Sequence, residues 1–180
     1  MVANSNIECN PGPGKCWVPF SAISDDLLKD LKAETLSQAK ASGPRELNAV
    51  LASLRRDSVS KPAVFVGAGT CGLGAGAGKT LTAVREFLAR NDIDADVVEV
   101  GCNGMCSDEP ILDIQIPGRA RVSFSTVTAD KAPQLLDSVL LQNRIPAELV
   151  LGQYRTAGAK PWDAVPYLDE HPFLSPQVRV

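Results

Sequence analysis

Residues 66–80 read VGAGTCGLGAGAGKT, with six glycines and one cysteine in fifteen positions. No other stretch limits the fold as much. Glycine at this density is costly inside a strand or helix, so the segment is a turn with something regular on each side. Before it, PAVFVG (62–67) has the continuous apolar character of a buried strand. After it, GKTLTAVREFLARN (78–91) has helical spacing, with Leu81, Val84, Phe87 and Leu88 facing inward. Strand, glycine turn and helix are the opening of an α/β unit.

The pattern continues the same way. DADVVEVG (94–101) is a second strand and GCNGMCSDEP (101–110) a loop. ILDIQIP alternates apolar and polar residues, the following Pro-Gly makes a turn, and ARVSFSTV is the hairpin partner. Thr128 caps ADKAPQLLDSVLLQN, a helix with Pro133 in an early turn. Residues 61–142 thus predict βαββα, a small mixed sheet with helices packed on it. Residues 1–22, broken by Pro11, Pro13 and Pro19, read as an irregular arm. Residues 23–60 read as a helical pair: Ser24 is the N-cap of the first helix, with Leu27, Leu28, Leu31 and Leu36 as its stripe. Gly43 ends that helix and Pro44 opens the second, whose buried face is Leu47, Val50, Leu51 and Leu54. Residues 143–180 carry four prolines in their last 29 positions and read as an extended linker or docking arm, with Trp162 and Tyr167 as anchors on a partner surface.

Three ligands compete for the glycine turn. Gly67, Gly69 and Gly72 match the GxGxxG dinucleotide fingerprint, but Glu99, the nearest candidate for the ribose, lies inside the second strand, and some 80 residues of sheet domain are too few for a dinucleotide fold. A phosphate-binding GxxxxGK[ST] loop needs glycine at 73, where leucine stands. The third reading rests on cysteine. Cys71 follows the first strand, and Cys102 and Cys106, spaced Cys-x3-Cys, follow the second. If these strands are parallel neighbours, both loops emerge at one end of the sheet and the three thiolates converge, an arrangement suited to an iron–sulfur cluster or zinc. Glycines 69, 72, 74, 101 and 104 would leave backbone N–H groups free to face bridging sulfides. The alternative is that these cysteines are small buried residues at strand ends.

Other features narrow the field. A net charge of −3 gives no attraction to nucleic acid, and no run approaches the length of a membrane span. MVANSNIECN lacks the basic and apolar regions of a secretory signal, which with five cysteines, an odd count, points to a reduced, cytoplasmic setting. A single histidine, His171, and no serine or cysteine beside an evident base leave no catalytic residues to assign. Met105 is either a shield over the cysteine site or a packing residue, and Asp108 and Glu109 are a solvated turn or a rim.

VGAGTCGLGAGA, VVEVGCNGMCSDEPILDIQIPG, RVSFSTVTADKAPQLL and LGQYRTAGAKPWDAVPYLDEHPFLSPQVRV together resemble the thioredoxin-like ferredoxin domain of NADH-oxidising complexes, including the form fused to the N-terminus of the FMN- and NADH-binding subunit in NAD-linked hydrogenases. The resemblance spans about 25–180 and is most specific at 66–77, 101–118 and 151–180. It implies an α/β, thioredoxin-like fold and an electron-transfer role. It also implies a [2Fe–2S] cluster on Cys71, Cys102 and Cys106, which match three of the family's four ligands. The fourth would fall at Ala75 or Gly76, which carry no ligating side chain. Either Ser107, Thr70, Cys9 or Cys16 substitutes, or the domain is a cluster-free assembly module of the same complex. A small zinc or thiol-redox protein is the third possibility, weakened by the lack of a CxxC pair. FMN and NAD(P)H are expected in a partner flavoprotein or a further domain, since nothing up to Val180 supplies their sites; other iron–sulfur subunits are the remaining expected partners.

Overall fold

The computed structural model describes residues 56–156 and 158–176, together with positions 38, 41–45, 48 and 49. The chain divides into two units, Met1–Ala52 and Ser53–Val180. In the first, positions 38, 41, 42, 44, 45, 48 and 49 are helical, and Gly43 between them has φ +117°. Glycine takes this left-handed backbone readily at helix ends. The remainder of the expected helical pair up to residue 55, with Ser24 and both leucine stripes, and the 1–22 arm with Cys9 and Cys16, lie outside the described residues.

The second unit is built on five strands: β1 (Ala63–Gly67), β2 (Asp96–Val100), β3 (Leu112–Gln115), β4 (Val122–Phe124) and β5 (Val150–Gln153). Three helices accompany them: α1 (Thr70–Gly74), α2 (Ala77–Arg90) and α3 (Ala132–Leu136), the last continuing into a wider π turn over Asp137–Leu141. The strands lie in the order β2-β1-β3-β4-β5. β1 and β2 run parallel, from Ala63 opposite Asp96 to Gly67 opposite Val100, and every other pair is antiparallel. This mixed sheet flanked by helices is the thioredoxin-like α/β architecture expected from the sequence.

One face of the sheet carries the main core. Val64 and Val66, Leu112 and Ile114, and Val122 and Phe124 alternate onto it, where they meet Val84, Phe87 and Leu88 of α2 and Leu135 and Leu136 of α3. Thr80 of α2 is also buried there and donates its hydroxyl to the Val127 carbonyl at 2.9 Å.

The other face differs from expectation. The apolar–polar alternation of β3 places Asp113 and Gln115 opposite the main core, yet both are buried, at 4% and 2% exposure. Asp113 lies between Phe65 and Ser123 in the sheet register. Its Oδ2 accepts from Nε of Arg121 at 2.8 Å and from the Tyr154 hydroxyl at 3.1 Å, while the Arg121 guanidinium lies 3.7 Å from the centre of the Phe65 ring. Cover over this face comes from Arg56, whose carbonyl accepts from the Gln115 amide at 3.1 Å, and from Tyr154 in the segment after residue 143.

That segment is the principal correction. Its reading as an extended arm outside the sheet domain leaves no place for β5, which pairs with β4, nor for the burial of Trp162, Leu168 and Leu174 at 7%, 4% and 4% exposure. Gln153, fully buried at the end of β5, holds the following loop. Its amide donates to the carbonyls of Trp162 at 3.0 Å and Val165 at 2.7 Å, and its Oε1 accepts the Trp162 N–H at 2.7 Å. The Trp162 indole donates to Ala120 at 2.9 Å. Trp162 therefore anchors its own core rather than a partner's surface. Tyr167 is half-buried beneath Arg155, whose guanidinium lies 3.6 Å from its ring centre.

Candidate metal centre

Because β1 and β2 are parallel neighbours, the loops that follow them leave the sheet at the same end. The Ala68 N–H donates to the Val100 carbonyl at 2.8 Å, tying the two exits together. Beyond this bond the loops nearly touch: a Cβ placed on Gly69 would stand 3.0 Å from Cβ of Cys102 and 3.1 Å from its nitrogen. Any larger residue at 69 would press on Cys102 and require it to give way.

Cys71 sits in α1, a five-residue helix that the sequence reading folds into the glycine turn. α1 can pack against the end of β1 only through Gly72. A Cβ there would lie 2.2 Å from the Gly67 carbonyl oxygen and 3.1 Å from a carboxylate oxygen of Glu109. Gly72→Ala is accordingly expected to cost about 1–3 kcal/mol as overpacking, read as a lower thermal midpoint. Gly74→Ala, in the same helix but facing open space, is expected to be neutral or to gain up to about 1 kcal/mol through helix propensity. Equal losses at the two positions would contradict this packing.

The second loop turns tightly. The Gly104 N–H points to Sγ of Cys102 at 3.2 Å, and the Met105 N–H to the Asn103 side chain at 3.0 Å. Cys106 opens a single turn of 3-10 helix, Cys106–Asp108, which brings its Sγ within 3.8 Å of that of Cys102. Hydrogen bonding with Cys71 first, and then with Cys102, pushes the Cys106 thiol up to about 12. All three thiols are exposed. The first loop thus faces the second across three sulfurs, as the strand order predicts.

Among the described residues, no group of three or more His, Cys, Asp or Glu side chains closes around a position for one metal ion. Cys106 has both Cys71 and Cys102 as sulfur neighbours, and three thiolates suit an iron–sulfur cluster or zinc. A soft, all-thiolate donor set fits such a cluster in kind, and among the described residues it stops at three thiols. Ala75 and Gly76 offer nothing, and the Ser107 hydroxyl is turned to Asp108 at 3.0 Å.

Two neighbours of the cysteines are resolved. Met105, at 2% exposure, packs with Ile111, Leu151, Leu168 and Leu174 in a second small core. Glu109 belongs neither to a solvated turn nor to a rim: it is 7% exposed, and its Oε2 accepts the Ile111 N–H at 2.7 Å. Nothing in the string SDEP announces that burial, which depends on the gaps at Gly67 and Gly72. His171 takes a local structural role, its Nδ1 accepting the Phe173 N–H at 3.2 Å.

No family model matches this chain, and no curated protein matches it. Solved structures do. A thioredoxin-like [2Fe–2S] ferredoxin from Aquifex aeolicus aligns at 15% identity with a TM-score of 0.46, covering 57% of this chain and 100% of that one. A 1.5 Å structure of the wild-type thioredoxin-like [2Fe–2S] ferredoxin from Aquifex aeolicus aligns at 16% identity and a TM-score of 0.44, covering 51% and 97%. The fold of this chain stands on its own sheet order and core.

Proposed function

We propose that this chain is an electron-transfer module of an NAD(P)H-linked flavoprotein oxidoreductase complex, with a [2Fe–2S] cluster held by Cys71, Cys102 and Cys106. The observation that carries this reading is the meeting of two cysteine loops at one end of a parallel strand pair, with the Cys106 thiol facing both others. When bound, the cluster supplies a one-electron site. The chain's own part is to present the thiols at the surface, where an electron partner can approach closely. It also contributes backbone N–H groups, that of Gly104 already directed at Cys102 Sγ, as donors to the sulfur. To hold the cluster, Cys71, Cys102 and Cys106 would each have to give up the thiol proton.

In this reading FMN and NAD(P)H reside in a partner flavoprotein or a further domain, other iron–sulfur subunits complete the path, and the setting is cytoplasmic. Among the described residues no helix is long and apolar enough to cross a membrane. The reading also keeps 1–22 as an arm and 23–60 as a helical pair preceding the ferredoxin domain.

A second reading has its own observation. The fourth ligand position carries no donor at Ala75 or Gly76, and a cluster-free domain that docks the same flavoprotein would tolerate that loss. Co-purification with the flavoprotein followed by anaerobic addition of NADH separates the two. The first reading expects the visible absorption of the ferredoxin domain to bleach only when flavoprotein and NADH are both present. Stable association with no such chromophore would support the second.

A further inference from the structure

A groove of about 610 Å³ opens beside the start of β5, between the 143–147 turn and the 162–166 loop. Its walls are apolar at Trp162, Ile145, Val150 and Val165, and two guanidinium groups, those of Arg119 and Arg144, line it. The size falls within the roughly 300–1,000 Å³ of sites that take small organic ligands, and the mixture of apolar wall and few polar groups is theirs too.

The two arginines are held but not neutralised. Arg119 stacks with its guanidinium carbon 3.8 Å from the centre of the Trp162 ring, and its Nε is buried without a hydrogen-bond partner. Arg144 is oriented by a bond to the Ser138 hydroxyl at 3.2 Å. Among the described residues neither has a carboxylate partner, whereas Arg56, Arg85, Arg121 and Arg155 of the same unit each do. The single carboxylate of the lining, Asp163, is exposed to solvent. The groove is therefore cationic within a chain of net charge −3. A guanidinium without a carboxylate partner offers planar N–H donors that match carboxylate and phosphate oxygens. The backbone adds an independent sign. Asn143 and Ala164, at φ +52° and +59°, both line this groove, and non-glycine residues held in that region concentrate at ligand sites.

We propose that the groove binds a small organic anion, with its carboxylate or phosphate on Arg119 and Arg144 and its apolar body against Trp162 and Val165. The site is separate from the cysteine loops and does not depend on their reading. Benzoate and phenyl phosphate are suitable probes, with inorganic phosphate and benzyl alcohol as the separate halves, followed by amide and indole shifts in two-dimensional nitrogen NMR of the full chain. One or both aromatic anions are expected to shift the Trp162 indole resonance saturably, and the tighter of the two distinguishes carboxylate from phosphate chemistry. Either half alone is expected to bind at least about tenfold more weakly. Arg144→Gln, at an exposed position, and Arg119→Gln are each expected to weaken the tighter probe by about tenfold or more, while Asp163→Asn tightens it. Failure of both anions to saturate, equal binding of benzyl alcohol, or affinity unchanged in Arg144→Gln would each overturn the proposal.

Discussion

Trp162→Ala is expected to lower stability by about 3–5 kcal/mol, the range for truncating a buried aromatic side chain. For a unit of this size that corresponds to a fall in thermal midpoint on the order of 10 °C. Three losses combine. The indole leaves the main core, where it is 7% exposed. The Ala120 carbonyl loses its 2.9 Å donor, and Arg119 loses the ring on which it stacks. The Gln153 side chain keeps its bonds to the loop backbone, so the substitution reads these three losses and not detachment of the loop. Calorimetry of the isolated chain decides the matter. If the segment after 143 were only a docking arm, the same substitution would shift the midpoint by no more than a surface change does, within about 0.5 kcal/mol.

The second large effect concerns the cysteines. Cys102→Ser or Cys106→Ser is expected to abolish cluster retention, since in the proposed site each removes one of the three thiolates among the described residues. A gain should be equally visible. The missing ligand has two candidate positions, and the backbone distinguishes them. Gly76 sits at φ +101°, where a side chain is strained, while Ala75 is exposed with ordinary helical backbone at φ −80°. Ala75→Cys is therefore expected to add the fourth thiolate and slow cluster loss in air by about 10–100-fold, taking the measured effect of weaker changes around metal ligands as a floor. Decay of visible absorption follows this directly. No gain from Ala75→Cys would place the completing ligand elsewhere.

Much of this arrangement is legible in the residues. AVFVG, DVVEV and the ILDIQIP–ARVSFSTV pair are strands by pattern, and their spacing about the glycine turn brings the cysteine loops together. The failures share a cause in long-range contact. VLGQ is a short strand interrupted by Gly152 and set among prolines, so it has no local period to distinguish it from an arm. Once Tyr154 after β5 is in place, Asp113 becomes an interior residue although its local alternation reads as solvent-facing, and Gln115 is held by the Arg56 carbonyl from before β1. Glu109 is buried for a similar reason, in space left by two glycines more than thirty residues away in sequence. TCGLG forms a helix because Gly72 allows it to lie on the end of β1, not because its residues favour helix.

Electron transfer by this chain requires that the three sulfurs hold a cluster. The deciding measurement is iron and acid-labile sulfide content, with the EPR spectrum of the dithionite-reduced protein, on chain purified anaerobically with its partners. The expected result is iron and sulfide in equal amounts and a reduced-state signal that disappears in Cys102→Ser. Protein that is free of iron, or that carries zinc in its place, would contradict it.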